Sequence, residues 1–191
     1  MTVRPTLAFL ARATRGRDRF SLLDVGFGDG DMLRAIARWA KRRGIAADLH
    51  GVDLNARSVD VARTASEGYD IAYHAGAYRQ RHDADFIISS LVAHHMTHDQ
   101  LVAFVGHMER HATTGWFVND LLRHRFAHWG FPLLARIMRW HPIVRHDGQL
   151  SIARSYRPAE WSPILAEAGI ADGSARVFRT FPFRLCVERL R

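Results

Sequence analysis

Between residues 24 and 31 the chain reads Asp24-Val25-Gly26-Phe27-Gly28-Asp29-Gly30-Asp31, three glycines alternating among three acids. Glycines spaced this way let the chain turn sharply while its backbone amides approach a ligand closely. The ligand is not a pyrophosphate. A G-x-G-x-x-G fingerprint would need its third glycine at residue 31, which is Asp31, and no Gly-Lys-Ser/Thr follows to make a P-loop. Asp24, Asp29 and Asp31 would repel phosphate and attract a cation. Asp53 lies 23 residues beyond Gly30, at the end of a second apolar stretch, placed to accept hydrogen bonds from both hydroxyls of a ribose. S-adenosylmethionine meets both demands, with its sulfonium and ammonium groups and its ribose.

A second group of reactive side chains follows Ser89-Ser90-Leu91-Val92-Ala93-His94-His95. Methyl transfer needs in-line attack on the sulfonium methyl and removal of a proton from the nucleophile, and a base near neutral pKa suits a phenol. His95 is the leading candidate for that base, or for orienting the acceptor. His146 is either a second base or only the donor of its turn. His94 and His98 have the i, i+4 spacing of metal ligands, but no acid or cysteine completes a set, and no metal is expected.

These residues need a frame. Phe20 to Val25, Ala47 to Leu54, Ile71 to His74, Ala84 to Leu91 and Gly115 to Val118 read as strands. Asp31 to Arg43, Ala56 to Thr64 and Asp99 to His111 read as helices between them, the first with Met32, Leu33, Ile36 and Ala37 on one face and a stop at Gly44. The alternation predicts an α/β fold with a doubly wound, mostly parallel sheet. Ligands of such sheets bind beyond the carboxyl ends of the strands. Cofactor contacts are therefore expected from Asp24, Gly26, Phe27, Gly28, Gly30, Asp31, Asp53, Leu54, Asn55, Gly76, Ala77, Ser90 and Leu91. Contacts to the acceptor are expected from His94, Asn119, Asp120, Arg123, Trp129 and Trp140.

After the fifth strand the alternation breaks, giving a helical insertion over 121–157 with a helix from Arg125 to Trp140 and a turn at His146-Asp147-Gly148. Pro158 opens another helix that ends at Gly169. Ala175 to Val187 supplies two antiparallel strands joined near Phe181-Pro182. One domain over 1–191 is expected, with an N-terminal helical segment over 1–19 rather than a cleaved leader, since the apolar patch Leu7 to Ala11 is too short for a secretory core.

The run Leu22-Leu23-Asp24-Val25-Gly26-Phe27-Gly28-Asp29-Gly30 resembles the first motif of class I SAM-dependent methyltransferases, and Gly51-Val52-Asp53-Leu54 resembles their second-strand acid. The resemblance spans roughly Ser21 to Val187 and implies their Rossmann-like fold. It departs from the family after the third strand, where His74-Ala75-Gly76-Ala77-Tyr78 offers no acid for the adenine amino group; Tyr78 either stacks or is simply exposed. Phe117 to Arg123 and Arg145 to Ser151 resemble a branch of small methyltransferases associated with bacterial polyketide and phenolic-lipid pathways. That resemblance implies an aromatic or polyketide-like hydroxyl acceptor under an apolar lid containing Trp129 and Trp140. It also implies a more open site, because members of that branch often carry more N-terminal residues. A partner subunit in a homodimer, the insertion or a membrane surface could close it.

Composition bounds the alternatives. The chain has 191 residues, a formal charge of +8, twelve histidines, a single cysteine and a single lysine, Lys41. Lone Cys186 rules out an intrachain disulfide and fits the cytoplasm. No apolar run is long enough to span a bilayer, so the chain is soluble or peripheral. The arginine surface keeps an RNA or protein methyltransferase in play, and a cofactor-binding but silent partner subunit as well. Without aromatic interleaving no specific nucleic acid is expected, and no Asn-Pro-Pro-Tyr-type sequence follows the fourth strand.

Overall fold

A computed structural model describes residues 3–80, 83–124 and 150–191. Seven strands form one sheet in the order β3-β2-β1-β4-β5-β7-β6. β1 (Arg19–Val25), β2 (Ala46–Asp53), β3 (Ala72–Ala75), β4 (Ala84–Ser90) and β5 (Ala112–Leu121) run parallel, as does β6 (Arg176–Thr180) at the edge; β7 (Arg184–Leu190), between β5 and β6, is antiparallel to both. The strand order reverses between β1 and β4. The sites of interest therefore gather where the loops after these two strands meet.

Side chains alternate across the sheet and build two cores. Leu23, Val25, Ile87, Trp116 and Val118 face one way, against Phe104, Val105 and Met108 of α4 (His98–His111) and Trp161 and Ile164 of α5 (Pro158–Glu167). Phe20, Leu22, Phe86, Ile88 and Phe117 face the other, against α1 (Val3–Ala13), α2 (Asp31–Arg43) and α3 (Ala56–Ala65). Phe9 of α1 stacks on Phe117 with ring centroids 5.0 Å apart, and Leu10 beside it is fully buried. The N-terminal helix is thus part of this second core.

The helix read over Asp31 to Arg43 forms over those residues. Met32, Leu33, Ile36, Trp39 and Ala40 are its buried stripe, Asp31 lies in its first turn, and Lys41, Arg42 and Arg43 complement the dipole at its end. Gly44 closes it in the left-handed region, its N–H donating to the Ala40 and Lys41 carbonyls.

Strand ends differ from the sequence reading at β4 and at both ends of β5, which begins at Ala112 rather than Gly115. β4 stops at Ser90, because Leu91 turns to φ 63. β5 runs through Asn119 and Asp120, which the sequence puts beyond the strand. Both are polar residues in a buried strand, and tertiary partners make that tenable: Asn119 pairs in register with Ser90 on one side and Cys186 on the other, and Asp120 is met by His94. Of the insertion, the helix from Arg125 to Trp140 and the turn at 146–148 lie outside the described residues, and His146, Trp129 and Trp140 with them.

Candidate cofactor and acceptor site

The glycine loop follows β1 and is stitched to β2 by backbone groups. The Gly26 N–H donates to the Val52 carbonyl at 2.8 Å, and the Gly28 N–H donates to Asp53 Oδ2 at 3.0 Å. Gly26, Gly28 and Gly30 all have positive φ, at 76, 58 and 78°. A Cβ on Gly26 would run into Val92, and one on Gly30 into the Tyr73 hydroxyl, whereas the space over Gly28 is open. The outer two glycines thus permit close packing, and the middle one leaves a cradle free for a ligand.

Asp53 holds three loops together. Its Oδ2 accepts from Gly28, its Oδ1 accepts from the Asn55 N–H at 2.9 Å, and its carbonyl accepts from the Gly76 N–H at 2.9 Å. An ionised carboxylate has about four acceptor positions, so two remain for ribose hydroxyls. Asn55 is occupied as the cap of α3, accepting from the Arg57 N–H. Leu54 is 84% exposed beside Asp53, an apolar surface for a flat base.

Asp24 sits on the same face of β1 as Leu22, beneath the loop, and is 1% exposed with Oδ1 lacking any hydrogen-bond partner. Burial, reinforced by the nearby charges of Asp31 and Asp53, pushes its carboxyl up to about 8. Three acids so arranged, one with an orphaned oxygen, suit a cationic ligand. Phe27 is buried against Tyr73, ring centroids 4.8 Å apart, so this residue offers the ligand only its backbone.

A cleft of about 310 Å³ opens where these loops meet the segment after β4. Gly26, Asp53, Leu54 and Gly76 line one side of it, and Leu91, Val92, His95 and Met96 the other. Tyr78 also lines it, with its ring edge-on to Phe104 at 4.9 Å. Ala77 does not reach it, and Ser90 ends β4 with its Oγ buried and unpartnered. Val92 and Met96 escaped the sequence reading, since an apolar residue in such a loop looks like core.

His95 lines the cleft within a single 3₁₀ turn, Ala93–His95, its ring 4.0 Å from that of His94. Burial, then the charges of His94 and Arg154, hold its pKa below the usual histidine value, against an opposing pull from Asp120. At neutral pH it is an unprotonated imidazole.

The side chains expected to touch the acceptor go elsewhere. His94 is buried, and Asp120 beside it is buried as well. The Asp120 carboxylate receives the His94 backbone N–H at 2.9 Å and lies 2.7 Å from His94 Nδ1. The pair anchors the turn that carries His95. Asn119 is fully buried between Leu91, whose N–H its carbonyl accepts, and Cys186. Arg123 pairs with Glu160 of α5. His94, Asn119 and Asp120 are buried and find their partners within the protein, and half-buried Arg123 is held by Glu160. His98 bonds Glu167 while His94 bonds Asp120, so the i, i+4 pair does not converge on a metal.

Residues 22–115 match a family described as a methyltransferase domain. No curated protein matches the sequence. Among solved structures, the magnesium protoporphyrin IX methyltransferase of Synechocystis is 18% identical, with 100% of this chain and 81% of that one covered and a TM-score of 0.64. A SAM-dependent methyltransferase from Aquifex aeolicus is 18% identical over 99% and 90%, with a TM-score of 0.68. A plantazolicin methyltransferase in complex with a substrate analogue and SAH is 13% identical over 96% and 81%, with a TM-score of 0.72. The glycine cradle, the Asp53 carboxylate and the acidic floor beneath them all lie in the stretch that matches a methyltransferase domain, which runs from β1 into β5, and the fold around them is that of the class I methyltransferases, whose cofactor is S-adenosyl-L-methionine.

Proposed function

We propose that the protein transfers a methyl group to the hydroxyl of a small aromatic or polyketide-like acceptor, with His95 as the proton acceptor. One observation carries this reading: an exposed imidazole, its pKa lowered by partial desolvation and by the nearby charges of His94 and Arg154, stands in the wall of the cofactor cleft, across from Asp53 and Gly76. When bound, the cofactor supplies an electrophilic methyl carbon on a sulfonium. Asp53 and the Gly28 loop would hold its ribose, and Asp31, with Asp24 once that carboxyl gives up its proton, would face its positive charge. The cofactor would supply the carbon for the new bond to the acceptor oxygen and would keep the electron pair of the broken carbon–sulfur bond on its sulfur. The hydroxyl proton goes to a ring nitrogen of His95. The His94–Asp120 pair keeps that ring in place without touching the acceptor. The likeness of Phe117 to Arg123 to phenolic-lipid methyltransferases supports the acceptor class.

The test is methyl transfer to a panel of phenols and alkylresorcinol-like compounds, with the product's methylation site read by NMR. His95→Ala should lower turnover by about 10²–10⁴ while cofactor affinity stays the same. Wild-type kcat should fall only at pH below the ordinary histidine value of 6.5, because the base stays unprotonated down to there. Full activity in His95→Ala would make it a structural histidine. A panel with no methylated phenol would sink the acceptor class and leave the cofactor untouched.

A further inference from the structure

Among the described residues six large apolar side chains stand exposed: Leu54, Val61, Leu91, Leu150, Phe181 and Phe183. All but Val61 belong to one edge of the molecule, the edge that holds the cleft. Leu54 follows β2 and Leu91 follows β4. Phe181 and Phe183 form the turn between β6 and β7, which lies beside the end of β5: Leu121 pairs with Arg184, and the Leu122 N–H donates to the Phe183 carbonyl at 2.9 Å. Leu150 lies in the helical turn over 150–154, just ahead of Tyr156, which bridges to Leu122. Phe181 is 93% exposed.

Arginine is the prevailing charge at this edge outside the cleft. Arg57, Arg154, Arg157 and Arg179 are exposed, and none has a carboxylate within ion-pair distance among the described residues. Of the acids there, Asp29, Asp31 and Asp53 surround the cofactor loop, Glu160 is taken by Arg123, and Asp99 stands exposed in the first turn of α4. The whole chain carries +8. Aromatic side chains projecting between unpaired guanidinium groups match the boundary of an anionic bilayer, where rings enter the headgroup layer and cations meet phosphates. We propose that this edge docks on an anionic membrane surface, with Phe181 entering the headgroup layer. Docked so, the cleft opens toward the bilayer. Only the corollary that a lipophilic acceptor is taken from the membrane rests on the proposed function.

The docking is tested without any methyl transfer. The full chain is sedimented with phosphatidylcholine vesicles and with vesicles that also contain phosphatidylglycerol, at about 0.15 M salt. Binding to the anionic vesicles alone is expected, falling about tenfold in Phe181→Ser and about fivefold in Arg179→Gln. Phe181→Trp should shift its emission to the blue on those vesicles. Unchanged melting temperature and cofactor affinity in each variant establish that it is folded. Absence of vesicle binding, equal binding to both lipids, or no loss in folded Phe181→Ser overturns the proposal. So does tight capture of a single-stranded RNA that displaces the vesicles, which would give the arginines to nucleic acid instead.

Discussion

The two sides of the cleft are built differently. On the cofactor side, from β1 to β3, the loops are held by backbone amides and one carboxylate: Gly26 to Val52, Gly28 and Asn55 to Asp53, Gly76 to the Asp53 carbonyl. On the acceptor side, from β4 to β7, side chains distant in sequence hold one another: His94 with Asp120, Arg123 with Glu160, His98 with Glu167. A site made from backbone depends on where glycines fall and accommodates little else. A site made from paired side chains can change its partners and therefore its acceptor. On the proposed function, the cofactor side fixes the reaction class, and the side from β4 to β7 is where substrate choice resides.

The largest effect that would break this contrast concerns Asp24. Its folded carboxyl keeps its proton to about pH 8, while the unfolded chain releases it near the ordinary value of 3.8. Across that window the unfolded state binds fewer protons, so the stability that Asp24 contributes is fully present below pH 4 and is lost as pH rises toward 8, by on the order of several kcal/mol. Asp24→Asn should remove this slope in urea titrations taken at several pH values. An unchanged slope would mean that the acid floor does not set the electrostatics of the cofactor side.

Next comes Asp120→Ala, which strands His94 and two backbone N–H groups, those of His94 and Leu121, in the interior. A loss of roughly 3 kcal/mol of stability is expected, with cofactor affinity little changed. Denaturant melts and calorimetry on one sample separate the two. If cofactor affinity fell in parallel, the sides of the cleft would not be independent.

Asp53→Ala should do the reverse, weakening S-adenosylmethionine by roughly 1.5–3 kcal/mol in calorimetry. The smallest effects sharpen the part played by backbone. Gly28→Ala meets open space and should cost about 1 kcal/mol of stability for its left-handed φ alone. Gly30→Ala adds a collision with the Tyr73 hydroxyl, which Ser66 holds at 2.9 Å, and should cost visibly more. Equal melting temperatures for the two variants would show that the loop relaxes around Tyr73.

Sequence by itself determined the elements and the cofactor. The apolar stripe of α2 and its stop at Gly44 are local facts, as are the alternating glycines, and Asp53 is placed by the simple need of a parallel sheet to present its strand ends together. The acid at residue 31 in place of a glycine was enough to turn the loop from phosphate toward a cation. What only the tertiary structure decided is which polar residues near the cleft are free to act. His94 and His95 are adjacent and identical in type, yet one is buried against Asp120 and the other faces the cleft. Asn119 and Asp120 carry side chains that end strands in most sequences, and here they remain in β5 because Cys186, Ser90 and His94 lie across from them. A buried polar group takes its meaning from its partner, and the partner lies dozens of residues away, at a separation no local pattern reaches.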